Sequence, residues 1–289
     1  MARAAPRSPP RGGWAFSPLG FVRRVLVAGY EDNISFLASG LAFDTLLWLF
    51  PLTLVLLAAV GYVVGGGGDT IANVGALFGR LLPAHEAGDP LGTAEATFAG
   101  IVESRARLSL YGLPLFVWFS LRLFGSVRAA LNEVFDTEET RSWIVGKGLD
   151  LAMAVLCAVL IAGNTFVSVW VLRSPWFGRF VAGLTAFAFA VALFFIVYTV
   201  SPSRRVRWDT ALVASVVASL AFEIAKRLFT IYLANFATLD RMVSDTNALA
   251  LLLFVLWIHA MAFVFLAGGE VAETYDLARR QREQRALLS

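Results

Sequence analysis

Residues 41–52 read LAFDTLLWLFPL, an almost wholly apolar run with one carboxylate, Asp44, inside it. An aspartate in a soluble core and an aspartate inside a bilayer need different partners, so the environment of this stretch decides the fold. Working outward, the windows between charged residues are 33–43 and 45–68, 108–121, 151–172, 180–203, 210–222 and 246–269. About 20 apolar residues in a helix cross a hydrocarbon core of ~30 Å. Windows 151–172, 180–203 and 246–269 reach that length unaided. The others reach it only if Asp44, Arg122 and the group Glu223, Lys226 and Arg227 lie within the membrane.

Composition agrees. The chain has 289 residues, 58% hydrophobic and only 16% charged, where soluble domains carry about 25% charged residues. Mean hydropathy is +0.71. The expected fold is all-α: a polytopic membrane protein with six transmembrane helices and both termini cytoplasmic. Orientation follows from the basic residues. Arg3, Arg7, Arg11, Arg23 and Arg24 precede the first span, and Arg128, Arg141 and Lys147 follow the second. Arg204, Arg205 and Arg207 follow the fourth span, and Arg279, Arg280, Arg282 and Arg285 follow the sixth. Only Arg80, Arg105, Arg107, Arg173, Arg179 and Arg241 fall on the other side. Excess Lys and Arg marks the cytoplasmic face. This asymmetry accounts for the net charge of +3, so the sequence does not call for nucleic acid as a partner.

The segments divide as follows. Residues 1–16 are a Pro/Arg-rich tail expected to be disordered, with no cleavable signal-peptide pattern. Residues 17–275 form the transmembrane domain, and 276–289 a basic cytoplasmic tail. Residues 17–32 read as an interfacial amphipathic lead-in, with Phe21, Val22, Val25 and Leu26 opposite Arg23 and Arg24. The first span runs 34–64, with Pro51 inside it. The outer loop 65–107 is expected to hold two short amphipathic helices, near 71–81 and 93–107. They suit either a lid or a packed connector. The turn RSPWFGR makes spans three and four antiparallel neighbours. Small residues recur as Ala182, Ala186, Ala190 and as Ala211, Ser215, Ser219, the ridge pattern of close helix packing. Cys157 is the only cysteine, so no intrachain disulfide forms.

Several stretches together resemble the YihY/virulence factor BrkB family of bacterial inner-membrane proteins. They are ASGLAFDTLLWLFPL in the first span, WFSLRLFGSVRAALNEVF in the second, and YTVSPSRRVRWDTA between the fourth and fifth. FEIAKRLFTIY in the fifth and GGE at the end of the sixth complete the set. The resemblance covers residues 20–275, and the order and spacing of the motifs carry it. Two positions depart from the pattern: Asp44 stands where an aromatic is common, and His259 where Tyr is usual. The resemblance implies a multi-pass protein of the bacterial inner membrane. It implies no settled activity, and the ribonuclease label of some members has no support in these residues.

An ionisable side chain inside a bilayer costs several kcal/mol and normally faces a partner or a water cavity. The candidate intramembrane polar site is Asp44, Arg122, Glu223, Lys226, Arg227, His259 and Glu270. At 1.5 Å per residue, Asp44 lies ~15 Å into the membrane and Arg122 ~9 Å from the same face, so the two can form an ion pair. His259 comes to a similar depth, ~15 Å, and is either a hydrogen-bonded packing residue or a titrating one. Glu223 has Lys226 at i+3 and Arg227 at i+4 on its own helix. This cluster reads as a self-neutralising set or as a site for a proton, solute or anionic headgroup. Glu270 is expected to cap the bundle near Arg128 or Arg204.

Soluble-enzyme chemistry finds no footing. His85 and His259 are the only histidines, there is no Cys/His cluster for zinc, and no phosphate loop or G-x-S-x-G elbow occurs. The expected protein is not an enzyme and needs no cofactor or metal. Its expected partners are membrane lipids and an anionic lipid or small solute, with homo-oligomerisation left open. Two functions remain: a transporter-like protein moving a small solute or an amphiphile, or a non-transporting envelope structural or assembly factor. The first predicts a cavity at membrane depth, the second a closed bundle whose polar groups are all paired.

Overall fold

The computed structural model describes residues 18–64, 90–137, 142–171, 178–236 and 246–288. These hold seven helices and no strand: α1 Pro18–Glu31, α2 Ile34–Val64, α3 Pro90–Val134, α4 Trp143–Val171, α5 Gly178–Val200, α6 Trp208–Phe236 and α7 Thr246–Leu288. The N-terminal tail and the helix expected near 71–81 lie outside the described residues. Five helices contain stretches long and apolar enough to cross a membrane: Ile34–Ala59, Val102–Val134, Trp143–Ile161, Gly183–Val200 and Leu251–Gln284. The expected fifth span is helical as α6 but is not among these five. Its apolar run is cut by Glu223, Lys226 and Arg227.

Two boundaries differ from the sequence reading. Residues 93–107 are not a separate short helix. They are the first part of α3, which runs unbroken for 45 residues with Pro114 inside it. Residues 276–288 continue α7 to a length of 43 residues. At 1.5 Å per residue both helices exceed ~60 Å, about twice a hydrocarbon core, so each carries a polar extension beyond its apolar run.

The chain forms two compact units, Asp44–Arg122 and the combination of Met1–Phe43 with Leu123–Ser289. Within Asp44–Arg122, four contacts join α2 to α3: Asp44 with Arg122, Trp48 with Ser120, Leu54 with Gly112 and Tyr62 with Arg105. Partners rise along one helix as they fall along the other, which defines an antiparallel hairpin. Gly112 makes its crossing close. A Cβ there would lie 3.0 Å from Leu54 Cβ.

In the other unit α4 packs on α5, α5 on α6, α6 on α7, and α1 on α7. Of the two small-residue ridges, the one on α6 is fully buried, Ala211, Ser215 and Ser219 together with Ala214 and Ala218. Ala186 and Ala190 on α5 are only half-buried. An aromatic column runs beside the α6 ridge. Tyr198 stacks on Phe265 at 5.3 Å, Phe194 meets Phe222 edge-on at 6.1 Å, and Phe229 meets Trp257 at 4.6 Å. The Tyr198 hydroxyl donates to the Phe265 carbonyl at 2.6 Å, which satisfies the one polar atom of a buried ring. Gly268 is what allows this approach. A Cβ there would meet the Tyr198 hydroxyl and lie 2.6 Å from Ala218 Cβ.

The exterior is apolar. Leu110, Trp118, Leu184, Ile224, Leu228 and Ile231 are all exposed, a surface that fits lipid rather than water. Hydroxyls on the helices donate back to carbonyls one turn earlier: Thr53 to Leu49, Ser109 to Arg105, Thr199 to Phe195 and Thr230 to Lys226. That is how such groups are satisfied where water is absent.

Candidate functional site

Asp44 and Arg122 meet. The arginine Nε donates to Asp44 Oδ1 at 2.6 Å across 78 residues of sequence. The Asp44 side chain is 8% exposed and that of Arg122 is 51% exposed, so the carboxylate is held inside while the guanidinium reaches to the surface. One turn along, Trp48 Nε1 donates to Ser120 Oγ at 2.8 Å. The two polar pairs stack on one face of the hairpin. Asp44 is therefore a counter-charge, and the adjoining indole is anchored beside it.

The α6 cluster is organised differently. Lys226 Nζ lies 2.5 Å from Glu223 Oε1, a contact within one helical turn, and also sits over the Phe222 ring at 5.3 Å. Arg227 is exposed, and among the described residues no ion pair joins it to Glu223. His259 is half-buried on α7, and among the described residues no hydrogen bond links it to the α6 cluster. The aromatic contacts of Trp257 with Phe222 and Phe229 hold α6 to α7 in this region.

Glu270 is completely buried. Arg128 takes Asp150 at 3.1 Å, and Arg204 takes Glu273 at 2.5 Å and Asp276 at 3.3 Å. Glu270 lines a groove of about 550 Å³ between α1, the start of α2 and α7. Gly29, Asn33 and Ser39 line it on one side and Phe263 and Ala267 on the other. Asn33 turns the chain between α1 and α2 with φ at 51°, a left-handed conformation that Asn tolerates better than most residues. The exposed rim is apolar, formed by Leu26, Tyr30 and Phe36.

Sequence reasoning missed an ionic belt at the ends of these helices. Arg204 ties the α5–α6 loop to α7 and lies over the Phe135 ring at 5.0 Å. Arg280 joins the same network through Asp276 at 2.8 Å. Arg279 pairs with Asp209 and with Glu283. Asn132 donates to Ser203 Oγ at 3.0 Å and accepts from the Ser203 amide at 2.8 Å, which holds α3 to the same loop. Asp209 precedes the apolar run of α6. Desolvation pushes its carboxyl up, but hydrogen bonds from Arg207, the Thr210 amide and Arg279 outweigh this and hold it below the usual value. A signal for the belt was present in the sequence: Glu270, Glu273 and Asp276 recur every third residue, along one face of a helix. Among the described residues no group of three His, Cys, Asp or Glu side chains is placed to hold a metal ion.

Apolar helices with a lipid-facing exterior, charges paired within the bundle and a belt of ion pairs beyond the apolar runs define a multi-pass helical membrane protein. Residues 28–287 match the family model for virulence factor BrkB, and the chain belongs to that family. It is 29% identical over 269 residues to a UPF0761 membrane protein of Chlorobium luteolum, covering 87% of this chain and 58% of that one. A UPF0761 membrane protein of Pelodictyon phaeoclathratiforme is 30% identical over 251 residues, covering 83% and 56%. One from Psychromonas ingrahamii is 27% identical over 263 residues, covering 88% and 86%. The chain thus spans less than two thirds of the length of the first two relatives and most of the third. No solved structure matches it.

Proposed function

We propose that this protein is transporter-like and moves a small amphiphile or lipid across the bacterial inner membrane, without catalysing a chemical reaction. In this reading α6 also crosses the membrane, as the fifth of six spans, and both termini are cytoplasmic. The observation that carries it is the groove of about 550 Å³ lined by Glu270. Its size falls within the ~300–1,000 Å³ of small-molecule sites, and it combines a buried carboxylate with an exposed apolar rim. A wholly aqueous solute has no use for such a rim; an amphiphile does.

The rival, an envelope structural or assembly factor, is favoured by the pairing of the membrane charges Asp44–Arg122 and Glu223–Lys226. The test is translocation of a fluorescent phospholipid in vesicles containing the purified chain, read by chemical quenching of the outer leaflet. Quenching that runs past the outer-leaflet fraction supports the transporter reading. Quenching that stops at that fraction, as in protein-free vesicles, favours the structural factor. Reporter fusions at 132–147, 202–208 and 276–289 should report the cytoplasm, and fusions at 70–107 the outside.

A further inference from the structure

Arg227 is an exposed cation at an apolar depth. The register of α6 on α7 fixes that depth. Ala218 lies beside Gly268, and Phe229 meets Trp257 at 4.6 Å. Counting between these contacts sets Arg227 level with His259. Along α7, His259 stands ~15 Å from Gly269 and ~20 Å from Thr246, the two ends of the apolar run. Arg227 is nevertheless exposed, and among the described residues it has no ion pair or hydrogen bond. A charge at the middle of a bilayer is strongly disfavoured against lipid, and normally faces protein or a water cavity.

Its neighbours on the surface of α6 form a regular line. Val217, Leu220, Ile224, Arg227 and Ile231 follow one another at alternating spacings of three and four residues, and all are exposed. That is the spacing of a seam between two parallel helices. An anion flanks the same seam. The Glu223 side chain is 31% exposed, and Lys226 occupies its Oε1. Among the described residues nothing bonds Glu223 Oε2. Side chains on a helix lean towards its N-terminus, so the Arg227 guanidinium reaches back to the level of Glu223.

We propose that two copies of this chain pair along α6 within the bilayer, Arg227 of each on Glu223 of the other. A two-fold interface is self-complementary, so one acid and one base on the same face make two pairs. Each Glu223 then takes its own Lys226 on one oxygen and an arginine of the second copy on the other. The exposed aliphatic residues of the seam pack around them. The inference takes α6 as a membrane span, as above, and holds whether or not the protein moves a lipid.

The test uses the full chain with Cys157→Ala in lipid vesicles, as donor- and acceptor-labelled copies. Energy transfer should exceed random proximity and persist as added lipid dilutes the copies. Oxidation should cross-link copies carrying Ile224→Cys or Ile231→Cys, but not Leu184→Cys at an exposed position on α5. Arg227→Gln and Glu223→Gln should each weaken association about tenfold, while a single copy still melts in detergent like the wild type. The decisive arm mixes these two variants. Unlike copies regain one Arg227–Glu223 contact and like copies have none, so transfer between unlike copies should exceed that within either variant. Wild-type transfer that falls to the random level on dilution overturns the proposal without needing any variant to fold. Association with no preference for unlike copies also overturns it, as does cross-linking through position 184. A single-copy wild type whose retained phosphatidylglycerol is lost in Arg227→Gln overturns it in favour of a lipid phosphate. Labelling of position 224 by a membrane-impermeant maleimide would take α6 out of the bilayer and the proposal with it, leaving any measured translocation standing.

Discussion

Two ion pairs in this protein look alike in sequence and differ in what they accomplish. Asp44–Arg122 joins residues 78 apart on two helices, whereas Glu223–Lys226 joins residues three apart on one helix. The carboxylate is 8% exposed in the first and 31% exposed in the second. A pair between helices fixes their register, because sliding α2 past α3 by one turn strands the acid. A pair within a helix fixes nothing beyond its own turn. The same chemistry therefore specifies tertiary structure in one region and only masks charge in the other.

The comparison is broken most directly at Arg122. Arg122→Gln leaves Asp44 buried without its cation, a change that typically costs about 3–5 kcal/mol. Asp44→Asn should cost less, because the half-exposed guanidinium can extend towards the headgroups. The double variant should recover part of the Arg122→Gln loss. Thermal melting in detergent measures all three. Equal losses for the two single variants, summing in the double, would show that the pair does not set the register.

A second test moves to a contact that depends on shape and not on charge. Gly268 and Gly269 are adjacent on α7, yet only the first is sterically closed. A Cβ at Gly269 would lie 3.2 Å from Val134 Cγ1, a contact that a small side-chain shift relieves. Gly268→Ala drives its methyl into Ala218 and the Tyr198 hydroxyl and should cost about 1–3 kcal/mol, the usual range for overpacking. Gly269→Ala should change the melting temperature little. Loss of the wild-type melting temperature at Gly269 but not at Gly268 would contradict the packing described for α5, α6 and α7.

The sequence showed the parts of this fold that follow from one-dimensional pattern. The bounds of α2 are legible because an apolar run sits between Asp32 and the GGGGD at 65–69. The Asp44–Arg122 contact is legible because depth along two antiparallel helices is simple arithmetic. The unbroken α3 was not legible. Residues 93–107 are polar enough to read as a separate short helix, and nothing local says that they join the span that follows in one helix. The belt escaped for another reason. The partners of Arg204 lie 69 and 72 residues away, and charge pairing at that separation is set by which helix ends meet. The groove was illegible too, since it depends on α1 packing against α7. Glu270 is legible as a candidate because it is the first charge after the apolar run 246–269.

Arg204 gives a third, smaller effect. Arg204→Gln removes the cation from Glu273 and Asp276, but Arg280 still neutralises Asp276. A loss of about 1–3 kcal/mol is expected, the cost of leaving a buried acceptor unsatisfied. Limited proteolysis should then cut at the α5–α6 loop, residues 201–207, faster than in the wild type. Unchanged cleavage would mean that Asn132 and Ser203 alone hold that loop.

The smallest effect is expected where the local pair lies. Glu223→Gln with Lys226→Met removes both charges and keeps the side-chain volumes close. Intrahelical pairs contribute about 0.2–0.5 kcal/mol, so the double variant should melt within a degree or two of the wild type. That near-neutrality makes it informative, because any further change cannot be blamed on unfolding. If the cluster only masks charge, lipid translocation in vesicles should also be unchanged. If Arg227, exposed beside the pair, guides an anionic group past α6, removing its neighbours should alter translocation of phosphatidylglycerol while leaving the melting temperature in place. A large drop in melting temperature would show that the pair, although local, takes part in holding α6 against α7, and the contrast with Asp44–Arg122 would fail.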